Sequence, residues 1–208
     1  MVSELQVKIC GLRRAEDIAC ANELKPDFIG FVFAKSKRQV TPKQAAMLKA
    51  QLAPTIKAVG VFVNASIEDI LQLAQAGTID LIQLHGDEDA AYCAKLKQQT
   101  DLPLIKAVRV KDAGSLQGLE KIPCDYLLFD TYTPGQYGGT GKRFDLRLVS
   151  NINKPYFIAG GLDAENVASV VNKSQAFAVD VSGGVETNGF KDKEKMRAFL
   201  AQVRGDSK

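Results

Sequence analysis

The chain has 208 residues, 46% hydrophobic and 25% charged, with a formal net charge of +3 at pH 7. That composition builds a folded domain with its own core and excludes a disordered tail, a coiled-coil rod or a collagen-like repeat. The lysines and arginines are scattered and not interleaved with aromatics, so no nucleic-acid surface is expected, and no apolar stretch approaches the ~20 residues that cross a bilayer.

The first residues show no basic segment followed by an apolar core, so no secretion signal is expected. Four cysteines (Cys10, Cys20, Cys93, Cys124) occur without a C-x-x-C pair, a pattern of free thiols in a reducing cytoplasm. His85 is the one histidine, which leaves a histidine-built metal centre without ligands; no metal is expected.

Strand one is Gln6 to Cys10, an apolar run that stops on a thiol and turns at Gly11. A helix from about Arg14 to Leu24 follows, closed by Lys25-Pro26. Strand two, Phe28 to Phe33, is apolar on both faces, as in a parallel strand buried on both sides. The polar loop 34–38 ends at Arg38. Thr41-Pro42 then supplies an N-cap hydroxyl and a proline at the first helical position. Strand three is Ala58 to Val63. Its helix has Ser66 as cap, Asp69 three residues on, apolar positions at Ile67, Ile70, Leu71 and Ala74, and Gly77 as its end.

Strand four is Leu81 to Leu84, leading through His85-Gly86-Asp87 into a helix to about Gln98. Strand five is Leu104 to Val108. The helix after it, around Ser115 to Leu119, is the weakest of the series. Strand six is Tyr126 to Phe129 and ends at Asp130. A glycine-, tyrosine- and threonine-rich loop runs from Thr131 to Arg143, before a short helix from Phe144 to about Ser150. Strand seven is Tyr156 to Ala159, with Asp163 capping a helix that carries Val167, Val170 and Val171. Strand eight is Phe177 to Val181. The final helix places Met196, Phe199, Leu200 and Val203 at i, i+3, i+4 and i+7.

Eight strands with intervening helices fit either a closed barrel or an open doubly wound sheet. The count of eight favours an α/β fold of the (β/α)8 TIM barrel type, one domain over residues 1–208. The chain is short for that fold, so few insertions and no separate substrate domain are expected.

The strand ends carry the chemistry. Gly160-Gly161 follows strand seven and Ser182-Gly183-Gly184 follows strand eight. Each is either a tight turn or a place where backbone N–H groups approach an anion. Both together after the last two strands favour a phosphate. Cys10 is either a small apolar filler or, at a strand end beside a cation, a thiolate base. Cys20, Cys93 and Cys124 read as inert. Asp130 either caps its loop or completes an acid–base couple with Cys10. Asp180 lies inside an apolar strand and needs a partner or a function. Arg38 is either a solvated basic residue or a fork for a carboxylate. His85 reads as lining the pocket or orienting a loop.

Taken together the motifs resemble those of the phosphoribosylanthranilate isomerases. They are Val7-Lys8-Ile9-Cys10-Gly11, Gly30-Phe31-Val32-Phe33 with Ser36-Lys37-Arg38, and Gly60-Val61-Phe62-Val63-Asn64. In order they continue as Gln83-Leu84-His85-Gly86, Leu128-Phe129-Asp130-Thr131, 138–144, Ala159-Gly160-Gly161-Leu162 and Ala178-Val179-Asp180-Val181-Ser182. One departure is Gly183, where the family more often has a second serine; the backbone donors remain.

The resemblance implies an isomerase of tryptophan biosynthesis that needs no cofactor and acts on a small phosphosugar. It implies the Amadori rearrangement of N-(5-phosphoribosyl)anthranilate to 1-(2-carboxyphenylamino)-1-deoxyribulose 5-phosphate. On this sequence Asp130 would be the general acid and Cys10 the general base. Arg38 would bind the anthranilate carboxylate, with Asp180 a further contact. Gly160, Gly161, Ser182 and Gly183 would hold the phosphate, and the loop Thr131 to Lys142 would cover the site. A cytoplasmic monomer or weak homodimer is expected, without membrane or nucleic-acid partners.

Three rivals compete with that reading. They are a non-catalytic phosphosugar-binding barrel, a flavin enzyme with its phosphate at the same turns, and ring closure to indole-glycerol phosphate. The last wants a lysine acid at a strand end, and only Lys106 and Lys8 lie in strands near one.

Overall fold

Runs rich in valine, isoleucine and phenylalanine, punctuated by turn residues, become the eight parallel strands of a closed barrel in the computed structural model. The structure describes residues 5–110, 113–131, 149, 152–172 and 174–205. The strands are β1 (Gln6–Cys10), β2 (Phe28–Val32), β3 (Lys57–Phe62), β4 (Leu81–Leu84), β5 (Leu104–Val110), β6 (Tyr126–Thr131), β7 (Tyr156–Ala159) and β8 (Ala178–Val181). Each pairs with the next, and β1 closes on β8 with Lys8 opposite Asp180. The open doubly wound sheet is thereby excluded.

Six α-helices are described: α1 (Ala15–Leu24), α2 (Pro42–Lys49), α3 (Ile67–Gln75), α4 (Ala90–Lys97), α5 (Val167–Val171) and α6 (Lys193–Arg204). Two of the three predicted caps form. Thr41 accepts from the Gln44 N–H and Ser66 from the Asp69 N–H. On α3 the inward face is Ile67, Ile70 and Leu73, so Leu73 takes the buried place expected for Leu71 and Ala74. Asp163 does not cap α5 directly. Its carboxylate accepts from the N–H groups of Glu165 and Asn166, building a turn that delays the helix to Val167.

Two other segments depart from the expected pattern. After β5 the chain makes two short 3-10 turns, Ala113–Leu116 and Leu119–Lys121, in place of an α-helix. Gly114 and Gly118 lie in that stretch, where each lowers helix propensity. Between β8 and α6 lies a small hairpin, β9 (Glu186–Thr187) and β10 (Phe190–Lys191). Its turn is Asn188-Gly189, both at positive φ (52° and 79°), the pair that a tight hairpin turn favours. The expected loop 132–143 and helix 144–150 lie outside the described residues, Val149 excepted.

Strand alternation divides the core. Val7, Ile9, Ile29, Phe31, Leu127, Phe129, Val179 and Val181 face the helices, while Phe28, Val59, Leu81, Ile105, Leu128, Phe157 and Ala178 fill the barrel. Phe28, Tyr126, Phe157 and Phe177 meet edge-on or tilted, with centroids 4.9–6.3 Å apart, and plug the end where the strands begin. The space for a ligand is therefore at the strands' carboxyl ends.

Helix α6 buries Met196, Phe199, Leu200 and Val203, the four residues that its spacing predicts. Phe199 is 0% exposed. Phe199→Ala should lower stability by ~3–5 kcal/mol, mostly through the cavity it leaves, and urea unfolding measures it. A loss near zero would contradict this packing.

Candidate active site

Inward-facing positions at the strand ends converge because successive residues alternate between the two faces of each strand. Lys8 and Cys10 therefore share the inner face of β1. Gln83 on β4, Asp130 on β6 and Asp180 on β8 continue the inner positions Leu81, Leu128 and Ala178. Cys10 pairs with Gly30 across β1 and β2. A Cβ at Gly30 would stand 2.7 Å from the Cys10 Sγ, so only glycine leaves room for the thiol.

Lys8 is 0% exposed, and its Nζ donates to Asp180 Oδ2 at 2.9 Å. The second Asp180 oxygen, Oδ1, is buried and has no hydrogen-bond partner among the described residues. Burial works against the Lys8 ammonium, but Asp180 and Cys10 hold its pKa above the ordinary lysine value. Burial pushes the Cys10 thiol up, against the pull of the Lys8 and Lys191 ammoniums.

Asp130 faces His85 with Oδ2 3.3 Å from Nε2. The other ring nitrogen, Nδ1, is hydrogen-bonded with the Gln83 side-chain amide at 2.9 Å. The imidazole thus bridges the two side chains, one ring nitrogen facing Asp130 and the other facing Gln83. His85, read from the sequence as lining the pocket or orienting a loop, thus contacts the Asp130 side chain. Asp130 lies within β6 itself and not beyond its end. The field at Asp180 includes both His85 and Asp130, which links the two halves of the site.

The predicted binding residues lie on the β1, β2, β7 and β8 side. Arg38 donates from Nε and Nη2 to the two oxygens of Glu186 at 2.6 and 2.9 Å. Lys191 donates to Glu186 Oε1 at 2.8 Å and to the Ser182 carbonyl at 3.0 Å. Ser182 Oγ donates to the Cys10 carbonyl at 2.9 Å. That hydroxyl proton ties β8 to β1. Gly160 and Gly161 both have positive φ, 91° and 65°. A Cβ on Gly184 would overlap the Leu162 carbonyl, so the turns after β7 and β8 are in direct contact.

Sequence reasoning missed Glu186, Lys191 and the depth of the Lys8–Asp180 pair. Asn188-Gly189 was the available signal for the hairpin that carries the first two. Two charged residues at matching places in apolar strands were the signal for the third. Lys106, by contrast, alternates with the inner residues Ile105 and Ala107, so it faces away from the barrel interior. It donates to Glu88 Oε2 and the Gly86 carbonyl, each at 2.8 Å. It is therefore unsuited as the acid of a ring closure in the pocket. Among the described residues no cluster of three or more His, Cys, Asp and Glu side chains could hold a metal, and no helix is long and apolar enough to cross a membrane.

Burial alone would raise the Glu186 carboxyl, but the hydrogen bonds from Arg38 and Lys191 outweigh it and hold the pKa at about 2. A depressed carboxylate pKa adds stability above the unfolded value of roughly 4.3, and that stability is lost as pH falls towards about 2. The urea-midpoint gap between wild type and Glu186→Gln should therefore be widest above pH ~5 and close as pH drops below ~4. A gap independent of pH would contradict the assigned ionisation.

The sequence model of the N-(5'-phosphoribosyl)anthranilate (PRA) isomerases matches residues 7–202. The chain is 47% identical over 203 residues to the N-(5'-phosphoribosyl)anthranilate isomerase of Thermoanaerobacter sp. (strain X514), covering 97% of this chain and 98% of that one. It superposes on the phosphoribosyl anthranilate isomerase of Thermotoga maritima with a TM-score of 0.87 and 36% identity, covering 97% and 99% of the two chains. A further phosphoribosyl anthranilate isomerase was solved in complex with reduced 1-(o-carboxyphenylamino)-1-deoxyribulose 5-phosphate. It is similar at a TM-score of 0.84 and 34% identity, over 97% of this chain and 99% of that one. By the full-length match, the shared barrel and the order of its motifs, the chain belongs to the N-(5'-phosphoribosyl)anthranilate isomerase family.

Proposed function

We propose that Cys10 and Asp130 carry the acid–base steps of the Amadori rearrangement that this chain, as a member of its family, catalyses in tryptophan biosynthesis. The observation that carries the reading is the convergence of Cys10, Asp180 and the His85-bound Asp130 on the inner face at the strands' carboxyl ends. Such a site needs one donor and one acceptor of protons, each contributing roughly 10²–10⁴-fold.

Asp130 gives a proton to the furanose ring oxygen. The C1′–O bond breaks, and the anthranilate nitrogen supplies the electron pair of the resulting protonated Schiff base. The Cys10 thiolate takes the proton from C2′, and that bond's electrons form the C1′=C2′ double bond of an enolamine. C1′ then gains a proton and O2′ loses one, leaving the ketone and an acid–base pair in its starting state. Only proton transfers are required. His85 keeps Asp130 turned into the pocket, and Gln83 keeps His85 turned to Asp130.

Binding follows from the same geometry. Arg38 takes the anthranilate carboxylate with the N–H groups that lie outside its pair with Glu186. The adjoining turns at Gly160-Gly161 and Ser182-Gly183 take the phosphate through backbone N–H groups. The buried Asp180 Oδ1 accepts a ribose hydroxyl. The resemblance of this chain to a relative solved with a reduced phosphosugar product supports a small phosphosugar ligand. We read the protein as one barrel over residues 1–208, in the cytoplasm, as a monomer or weak homodimer.

Cys10→Ala and Asp130→Asn should each cut kcat by ~10²-fold or more with KM little changed, measured by the loss of substrate fluorescence. A Cys10→Ala protein with near-normal kcat would remove the assigned base. Arg38→Ala should mainly raise KM, because the carboxylate is held alike in ground and transition states. A large fall in kcat at constant KM would contradict that role.

A further inference from the structure

We propose that Lys8 is a positioning residue for Cys10, its ammonium anchored on Asp180 beneath the pocket as the counter-ion that favours the proton-accepting form of the Cys10 side chain against the burial that opposes it. The proposal rests on the reading of Cys10 as the base and adds what makes it one.

The argument starts from burial. A lysine normally extends its charge to water along the surface. Lys8 cannot, because it lies fully inside the barrel. Its ammonium has several donors to satisfy, and Asp180 Oδ2 accepts one at 2.9 Å. Cys10 is the next residue on the same inner face of β1, and the Lys8 ammonium and the Cys10 side chain act on one another electrostatically.

Charge counting points the same way. The cations facing Cys10 are Lys8 on β1, Lys191 on β10 and Arg38 after β2. The carboxylates among them are Asp180 and Glu186, with Glu186 shared between Arg38 and Lys191. Three positive charges thus meet two negative ones beside Cys10, with His85 and Asp130 also acting on Asp180, and a thiolate at Cys10 is a counter-charge to the three cations. Lys37 also approaches Glu186, at 3.8 Å, but it is 64% exposed and screened by water. Of the three cations only Lys8 shares the strand and face of Cys10; its side chain, like that of Lys191, lies out of solvent, where a field is least screened.

The test reads the ionisation of Cys10 directly and needs no turnover. The pH dependence of iodoacetamide alkylation would be followed by peptide mass spectrometry, which separates Cys10 from Cys20, Cys93 and Cys124. Three proteins are compared: wild type, Asp180→Asn, and the double variant Lys8→Met with Asp180→Asn. The double variant removes both charges, so no carboxylate is left buried and unpaired. Asp180→Asn should lower the Cys10 midpoint, because a negative neighbour is gone. The double variant should raise it above that of Asp180→Asn by at least a unit, about tenfold slower alkylation near neutral pH. Cys20 should alkylate alike in all three.

Equal Cys10 midpoints in Asp180→Asn and the double variant would overturn the proposal. If circular dichroism shows the double variant unfolded, Lys8→Gln with Asp180→Asn makes the same comparison. A Cys10→Ala enzyme that still turns over would remove the base assignment and leave these midpoints untouched, so the two failures are distinguishable.

Discussion

Closure of the barrel between β1 and β8 is the constraint on which the site depends, and its central contact is the cross-strand pair Lys8–Asp180. Side chains inside such a barrel are packed away from water, so a lone charge there would be strongly destabilising. Two opposite charges placed opposite one another are tolerated together. Their register fixes how β1 stands against β8. It thereby sets Cys10 beside Ser182, whose hydroxyl bonds the Cys10 carbonyl. A slip of one residue would turn Lys8 and Cys10 towards the helices and Val7 and Ile9 into the pocket.

The rim divides its labour between two hydrogen-bonded groups. One is Gln83, His85 and Asp130, drawn from β4, the residue after it and β6. The other runs from Arg38 through Glu186 and Lys191 to Ser182 and Cys10, and spans the loop after β2, the hairpin and the ends of β8 and β1. Each proposed catalytic residue sits at the end of a strand buried on both faces, and each is held by partners on other strands. This is how a small barrel places an acid and a base with few insertions: rigid strands carry the groups and short loops supply the ligand's anchors.

Much of this was legible in the sequence. The eight apolar runs gave the strands, because strands buried on both faces must be continuously apolar and bounded by turn residues. Cys10 and Asp130 stood out as polar stops on such runs, and α6 as a stripe at helical spacing. The failures have equally local causes. The segment after β5 forms 3-10 turns where a helix was expected, across a stretch that carries Gly114 and Gly118. Asp163 bonds backbone N–H groups ahead of α5, so the helix begins later than its cap residue suggested. Glu186 and Lys191 were missed because their meaning depends on a hairpin that folds them back beneath Arg38. Lys8 was missed because strand parity matters only once it is known which face is the barrel's interior.

The most direct measurement follows the fluorescence of phosphoribosylanthranilate with chelator-treated protein and no added cofactor. It compares wild type, each single variant Cys10→Ala and Asp130→Asn, and the double variant. Groups that act as a unit lose nearly all their effect when either is removed. The account predicts wild-type decay well above the spontaneous rate and a double variant no worse than the more damaging single one. Wild-type decay at the spontaneous rate, or losses that simply multiply in the double variant, would contradict a coupled acid–base pair at the mouth of this barrel.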